Sequence, residues 1–265
     1  MRPLSSLPVS VAARLTGLAT DVDDTVLDHG LLGNAALAAL WSARDANFPV
    51  LLATGRSVAF AEVLVRMWPV IGAVAENGAL AVIRRGHGIE RLDPRSPEER
   101  ARVRERLETI VSEVRCAFPD ATLSDDASGR VSDVTFDIGE TKRVPRVEVA
   151  EMAALAERLG ARTTTSSVHL HLTLDQADKA SGILGFLVDQ CRVDPTWARG
   201  RWAYVGDSVN DAPAFGAFRN SFGVANVESS LRSLVVPPRY VTRAPRGQGF
   251  AELMSALLSS RSSPV

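Results

Sequence analysis

The chain has 265 residues, 46% hydrophobic and 23% charged, with a net charge of −1, and this is the make-up of a soluble globular protein with one large domain or a core plus a smaller inserted one. The balanced charge and the lack of a long basic run argue against nucleic acid or an anionic membrane as a partner, and no apolar stretch reaches membrane-spanning length. Residues 1–18 lack the basic-then-apolar pattern of a secretory signal, and Cys116 and Cys191 lie far apart and outside any metal-ligand spacing, so free thiols and a cytoplasmic location are expected.

An apolar run over residues 16–22 shows little alternation and carries Asp21-Val22-Asp23-Asp24-Thr25 at its end. Such a run predicts a strand of a parallel sheet covered on both faces. Three carboxylates there are too costly to bury without a cation or a reaction that needs them. An acidic turn that only caps the next helix would need one. Asn34 is placed to cap a helix reaching about residue 46, with Leu37, Leu40 and Trp41 on one face and Asn47 and Pro49 closing it. Val50-Leu51-Leu52-Ala53 reads as a second buried strand, ending at Thr54-Gly55-Arg56-Ser57, and a helix follows to about residue 68. A third strand over 71–75 ends at Glu76-Asn77-Gly78. This alternation predicts a right-handed, doubly wound parallel sheet. Segments 79–83 and 89–92, joined across Arg85-Gly86-His87-Gly88, read as a hairpin.

The pattern then changes. Ser96-Pro97-Glu98-Glu99 is a capping box, and Val103, Leu107, Ile110, Val111 and Val114 follow at helical spacing. A short strand near 121–123 and a turn at Ser128-Gly129 precede a clean alternation: Val134, Phe136 and Ile138 face one way, Asp133, Thr135 and Asp137 the other. A helix over about 146–159 is stopped by Gly160, and strands over 162–166 and 168–174 follow. The second of these sets Val168, Leu170 and Leu172 opposite Ser167, His169, His171 and Thr173. Helix-strand-strand, twice, predicts an antiparallel sheet with helices on one face and an open polar face, inserted over roughly 93–173.

The doubly wound pattern resumes with a helix from Lys179 to about Cys191 and a buried strand over 201–205 that ends at Gly206-Asp207-Ser208-Val209-Asn210-Asp211. A strand over 221–224, a short one at Tyr240-Val241 and a helix over 250–258 complete the core. Of the 30 basic residues only Lys142 and Lys179 are lysine; the two are either chance survivors of an arginine bias or places that need a compact ammonium. In a parallel sheet the ends of these strands meet on one edge, so Asp21, Asp23, Thr54, Lys179, Asp207 and Asp211 are expected to share a site.

These motifs, in this order, resemble the haloacid dehalogenase superfamily of phosphohydrolases. An inserted segment between the Thr54 and Lys179 motifs resembles its type IIB branch of sugar-phosphate phosphatases, related to sucrose-phosphate and mannosyl-phosphoglycerate phosphatases. The resemblance implies an α/β fold: a doubly wound, Rossmann-like core over 1–92 and 174–265, with an αββαββ cap over 93–173 that chooses the substrate. It implies that Asp21 is the nucleophile of an aspartyl-phosphate mechanism and that Asp23 serves as acid and then base. It implies Mg2+ held by Asp21, the Asp23 carbonyl and Asp207, with Asp211 and Asn210 in or next to that shell. Thr54 and the Gly55 amide would hold phosphoryl oxygens, and Lys179 would neutralise their charge.

Other positions stay open at this level. Arg56 either binds phosphate or pairs with an acid. Asn77 either touches substrate or is part of an ordinary Asn-Gly turn. His169 and His171 share one strand face; they face substrate or lie on the surface, and without a third ligand they do not make a zinc site. Thr25 is expected to tighten its loop, and His29 and His87 to face solvent. The expected function is Mg2+-dependent hydrolysis of a small phosphorylated metabolite, a sugar phosphate by resemblance, in a monomer or small homo-oligomer. The alternative on the same scaffold is a phosphotransferase or phosphosugar mutase. A receiver-type signalling module shares the acid cluster, Thr and Lys, but Asp23 and the inserted domain argue against it. A non-catalytic sugar-phosphate binder would be expected to lack a core catalytic position, and none is missing.

Overall fold

The computed structural model describes residues 1–166 and 168–262; Ser167, expected on the polar face of its strand, lies outside them, as do residues 263–265. In chain order the strands are β1 (Arg2–Pro3), β2 (Gly17–Thr20), β3 (Leu27–Asp28), β4 (Leu31–Leu32), β5 (Val50–Ala53), β6 (Gly72–Ala75), β7 (Leu80–Arg85), β8 (Gly88–Leu92), β9 (Asp133–Asp137), β10 (Arg162–Thr165), β11 (His169–Thr173), β12 (Trp202–Gly206), β13 (Asn220–Gly223) and β14 (Tyr240–Val241). The helices are α1 (Val9–Ala12), α2 (Asn34–Asp45), α3 (Val58–Met67), α4 (Pro97–Ala117), α5 (Arg146–Arg158), α6 (Lys179–Cys191), α7 (Pro195–Arg201), α8 (Ala212–Ala217) and α9 (Arg246–Ser262).

The larger sheet runs β1-β14-β13-β12-β2-β5-β6-β7-β8. It is parallel from β1 to β6, and β7 and β8 fold back antiparallel at its edge. β2, β5, β6 and β12 are buried at every residue because helices cover both faces. Leu18 and Leu52 pack with Leu40 of α2, Leu64 of α3 and Leu253 of α9. Ala19 and Leu51 point the other way, to Ile183 of α6 and Phe215 of α8. The chain leaves β2 for β5 and β6 on one side and returns through β12, β13 and β14 on the other. The strand order therefore switches beside β2, where an open α/β sheet leaves a crevice at its carboxyl edge.

The smaller sheet, β10-β11-β9, is antiparallel. Leu107 and Ile110 of α4 and Met152 of α5 cover its apolar face, Phe136 and Leu170. The strand expected at 121–123 is reduced to a single bridge between Leu123 and Phe136. The polar face, expected to be open, is closed: Asp133, Thr135, Asp137, His169 and His171 are all buried. It lies over the Thr54–Ser57 loop of the larger sheet, where Arg130 Nη1 donates to the Gly55 carbonyl at 3.0 Å and the Ser57 N–H to Asp126 Oδ2 at 3.0 Å. Linkers on either side of the insert are tied together by Arg100, which donates to Asp93 at 2.7 Å and to Asp175 at 2.6 Å.

Local signals held with small shifts. The capping box at Ser96 forms on both sides of its exchange. Asn34 is the first helical residue of α2 rather than its cap; Gly33 takes the cap position and no side chain serves there. Helix α7, strand β1 and the β3–β4 hairpin were not anticipated; each is short and owes its place to contacts with the core. Among the described residues no helix is long and apolar enough to cross a membrane, and Cys116 and Cys191 are free and exposed.

Candidate active site

β2 carries Asp21 to the carboxyl edge, where its N–H still bonds the Val205 carbonyl of β12 at 2.8 Å. That bond fixes its backbone in the sheet. Lys179, the first residue of α6, is buried and donates to Asp21 Oδ1 at 2.5 Å and to Asp211 Oδ1 at 2.7 Å. Asp211 is held from every side: the Tyr204 hydroxyl donates to Oδ1 at 2.5 Å, and the Asp207 and Ser208 amides donate to Oδ2 at 2.9 and 3.0 Å. Only glycine fits at Gly206, because a Cβ there would run into that carboxylate. Asp207 accepts from Asn226 Nδ2 at 2.9 Å and from Thr25 Oγ1 at 3.4 Å. Thr25 thus ties its loop to the second acidic motif.

A second group sits beside the first. Arg56 Nε donates to both Asp23 oxygens, at 3.2 and 3.3 Å, and Nη1 to Glu140 Oε1 at 3.1 Å. Of the two roles open to Arg56, acid pairing is the one formed. Thr54 is fully buried, and its hydroxyl accepts the Arg56 N–H at 3.0 Å. Asn77 has a left-handed backbone (φ 54°) inside a helical turn rather than a two-residue hairpin loop, and its Oδ1 accepts from Asn210 Nδ2 at 3.3 Å. His169 Nε2 meets Glu140 Oε2 at 2.8 Å, while His171 Nδ1 meets Asp133 Oδ2 at 2.9 Å.

A cavity of about 330 Å³ lies between the two sheets, lined by Asp21, Asp23, Gly55, Arg56, Asp207 and Asn210 from below and by Glu140, Ser166, His169 and His171 from above. His29, expected in solvent, is exposed but borders it. Thr54, Asn77, Lys179 and Asp211 are not part of this lining but bond to residues beside it or within it: Thr54 to Arg56, Asn77 to Asn210, Lys179 to Asp21 and Asp211 to the Asp207 amide. A larger cleft, about 640 Å³, opens at the opposite edge of the sheet by Trp41, Arg44 and Arg84, away from these acids.

Burial, with the Asp211 and Asp23 charges added, pushes the Asp21 carboxyl up to about 7 against the pull of Lys179. Burial and the Asp21 and Asp211 charges push Asp207 up to about 9. For Lys179 burial acts downward, but Asp21 and Asp211 outweigh it and hold the ammonium above its usual range. Burial and Asp211 keep the Tyr204 phenol protonated as a donor. In the smaller sheet, burial lowers His171 more than Asp133 raises it, so the imidazole is held neutral. Asp21, Asp207 and Asp211 can each bring one oxygen within 4.8 Å of the others. Hard oxygen donors, and more buried negative charge than one ammonium balances, fit Mg2+. The Asp23 carboxylate is outside this cluster, turned to Arg56.

Several partners escaped sequence reasoning. Glu76 is buried and accepts from the Val58, Val131 and Ser132 amides and the Ser132 hydroxyl, the last two at 2.6 Å, so it clamps the insert to the core. Tyr204, Asn226, Arg130 and Glu140 also went unmarked. Asn226 sits just past the end of β13, and the strand-end rule that singled out Asp21 and Thr54 would have found it.

No family model matches the chain. Curated relatives do, among them the phosphoglycolate phosphatase of Pyrobaculum neutrophilum, 30% identical over 84% of this chain and 86% of that protein, and the one of Methanothermobacter thermautotrophicus, 29% identical over 90% and 96%. Many solved structures share the fold, two of them as follows. BT1666 of Bacteroides thetaiotaomicron, a phosphatase of the HAD superfamily, has a TM-score of 0.63 at 18% identity, covering 95% of this chain and 98% of its own. The sucrose-phosphatase of Synechocystis sp. PCC6803 has a TM-score of 0.64 at 17% identity, covering 92% and 98%. A doubly wound sheet with an acid cluster at its switch point defines a phosphoryl-transfer scaffold. The chain belongs to the haloacid dehalogenase (HAD) superfamily of phosphatases.

Proposed function

We propose that this phosphatase hydrolyses a small phosphomonoester with Mg2+ through a phosphoryl group carried on Asp21. The observation that supports this reading is the Asp21 carboxylate: it ends the switch-point strand, Lys179 holds its Oδ1 at 2.5 Å, and it lines the cavity between core and insert. An Asp21 oxygen bonds phosphorus as the ester P–O bond breaks, and Asp23 gives its proton to the leaving oxygen. Water then attacks the same phosphorus and passes a proton to Asp23. The bond to Asp21 breaks, and inorganic phosphate leaves. Thr54, the Gly55 amide and Asn210 hold phosphoryl oxygens, and Lys179 balances their charge. The Asp21 and Asp207 carboxylates and the Asp23 carbonyl would hold Mg2+, which when bound neutralises charge on the phosphoryl group. Asp211 has both oxygens engaged already and acts by fixing Lys179 and the Asp207 turn.

For the substrate, two facts favour a small molecule. The curated relatives described above are named for phosphoglycolate. The cavity of about 330 Å³ must also take the cation and its retained waters, which favours a compact substrate. Residues 93–173 act as the cap that covers the ester and excludes bulk water. The test is phosphate release from phosphoglycolate, glycerol phosphate, hexose phosphates and nucleoside monophosphates, with Mg2+ or EDTA, by the native chain and Asp21→Asn. The expected result is Mg2+-dependent release, fastest from phosphoglycolate and absent in Asp21→Asn. Release that survives EDTA or Asp21→Asn refutes the mechanism; preference for hexose phosphates keeps the mechanism and replaces the substrate.

A further inference from the structure

Asp23 pairs with Arg56 of the core, and that arginine is itself held from the insert. Arg56 Nε donates to Asp23 at 3.2 and 3.3 Å, while its Nη1 donates to Glu140 at 3.1 Å. Glu140 is fixed in turn. Its Oε2 lies 2.8 Å from His169 Nε2, and its loop is folded by Asp137, whose carboxylate accepts the Gly139, Glu140 and Thr141 amides at 3.0, 2.7 and 2.9 Å. The result is a continuous chain, Asp23–Arg56–Glu140–His169, that runs from core to cap along one wall of the cavity. The Asp23 side chain is 37% exposed, that of Arg56 18% and that of His169 5%. An ion pair as exposed as Asp23–Arg56 barely outweighs the entropy of holding an arginine in one rotamer. A second partner at the far end of the guanidinium changes that balance.

We propose that Glu140 is a positioning residue: by holding Arg56 from the cap, it sets the Asp23 carboxyl for proton transfer only while the cap covers the site. The proposal rests on the phosphatase reading above and adds to it a coupling between closure and acid–base chemistry. Without Glu140, Arg56 swings free and Asp23 loses its orientation, while Asp21, Lys179 and the phosphoryl-binding groups keep theirs. The loss must therefore depend on how much the leaving group needs a proton.

The test compares single-turnover release of glycolate from phosphoglycolate with that of p-nitrophenolate from p-nitrophenyl phosphate, whose leaving group needs no proton. Native chain, Glu140→Ala, Glu140→Gln and Arg56→Lys are measured. Glu140→Ala and Arg56→Lys should lower the phosphoglycolate rate about 10- to 100-fold, part of the 100- to 10,000-fold that general acid catalysis supplies. They should leave p-nitrophenolate release within about 3-fold, and Glu140→Gln, which can still accept from Arg56, should fall between. Equal losses on both esters, or no loss on either, overturn the proposal. Failure of the native chain to release either leaving group refutes the phosphatase reading itself, and is told apart by that control.

Discussion

Replacing Asp207 by Asn should make the metal-free protein more stable while abolishing its response to Mg2+. Burial beside Asp21 and Asp211 holds the Asp207 carboxyl at about 9, against 3.8 in an ordinary setting. At neutral pH the folded chain keeps a proton that the unfolded chain gives up. Neutral pH lies about 3 pH units above the ordinary value, at about 1.4 kcal/mol each, so this costs the metal-free fold about 4 kcal/mol. Asparagine avoids that cost but loses one of the acceptors used by Asn226 and Thr25, worth about 1 kcal/mol. The net gain of about 3 kcal/mol corresponds to a Tm higher by about 6–12 °C for a chain of this size. Because the folded pKa is raised, stability of the metal-free native chain falls as pH climbs from about 4 to about 9, and the variant should show a flatter slope. Thermal unfolding in EDTA across that range, then with saturating Mg2+, reads both effects. A Tm unchanged or lowered by Asp207→Asn in EDTA, or an intact Mg2+ shift in the variant, would refute the reasoning.

Three further substitutions probe the surrounding structure. Lys179→Met removes the ammonium shared by Asp21 and Asp211; breaking a buried pair from one side should cost about 3–5 kcal/mol, read by denaturant unfolding, with phosphate release lost. Glu76→Gln turns an amide toward the donors of Val131 and Ser132; stranding one or two buried N–H groups should cost about 2–4 kcal/mol, seen as a lower Tm. Gly78→Ala combines a φ of +109° with a Cβ against the Asp178 carbonyl, where α6 begins. It should displace Lys179 and remove activity along with stability, measured by phosphate release and thermal unfolding.

Much of the candidate site was readable because its acids and Thr54 follow the ends of apolar strands. A strand end is a local signal: Asp21, Thr54 and Asp207 are marked by the run before them, and a parallel sheet brings them together without further information. Lys179 stood out as one of two lysines, and its buried pairing with Asp21 and Asp211 gives that rarity a physical cause. Tyr204 was hidden for the opposite reason: it is an ordinary residue of its strand, and its role comes from a partner that only the folded chain supplies. Glu76 carries the strand-end signal at the close of β6, but its Val131 and Ser132 partners lie in the insert and leave no local trace. The polar face of the smaller sheet was misjudged because alternation reveals two faces and says nothing about what covers the polar one. Here Arg130, with no exposed side-chain surface, pairs with Asp126 and Asp133, and that internal neutralisation allows a charged face to be buried against the core. The segment expected as a strand at 121–123 pairs with β9 only as a one-residue bridge, Leu123 to Phe136, flanked by the Thr122 and Ser124 backbone bonds to Asp137 and Thr135.

The most direct measurement is rapid-quench mass spectrometry of the protein mixed with phosphoglycolate and Mg2+, with the peptide containing Asp21 mapped for added phosphate. The account predicts that one phosphoryl group appears on Asp21 within the first turnover and decays as inorganic phosphate is released. Phosphate released at full rate with Asp21 never modified, or a phosphoryl group found on another residue, would contradict it.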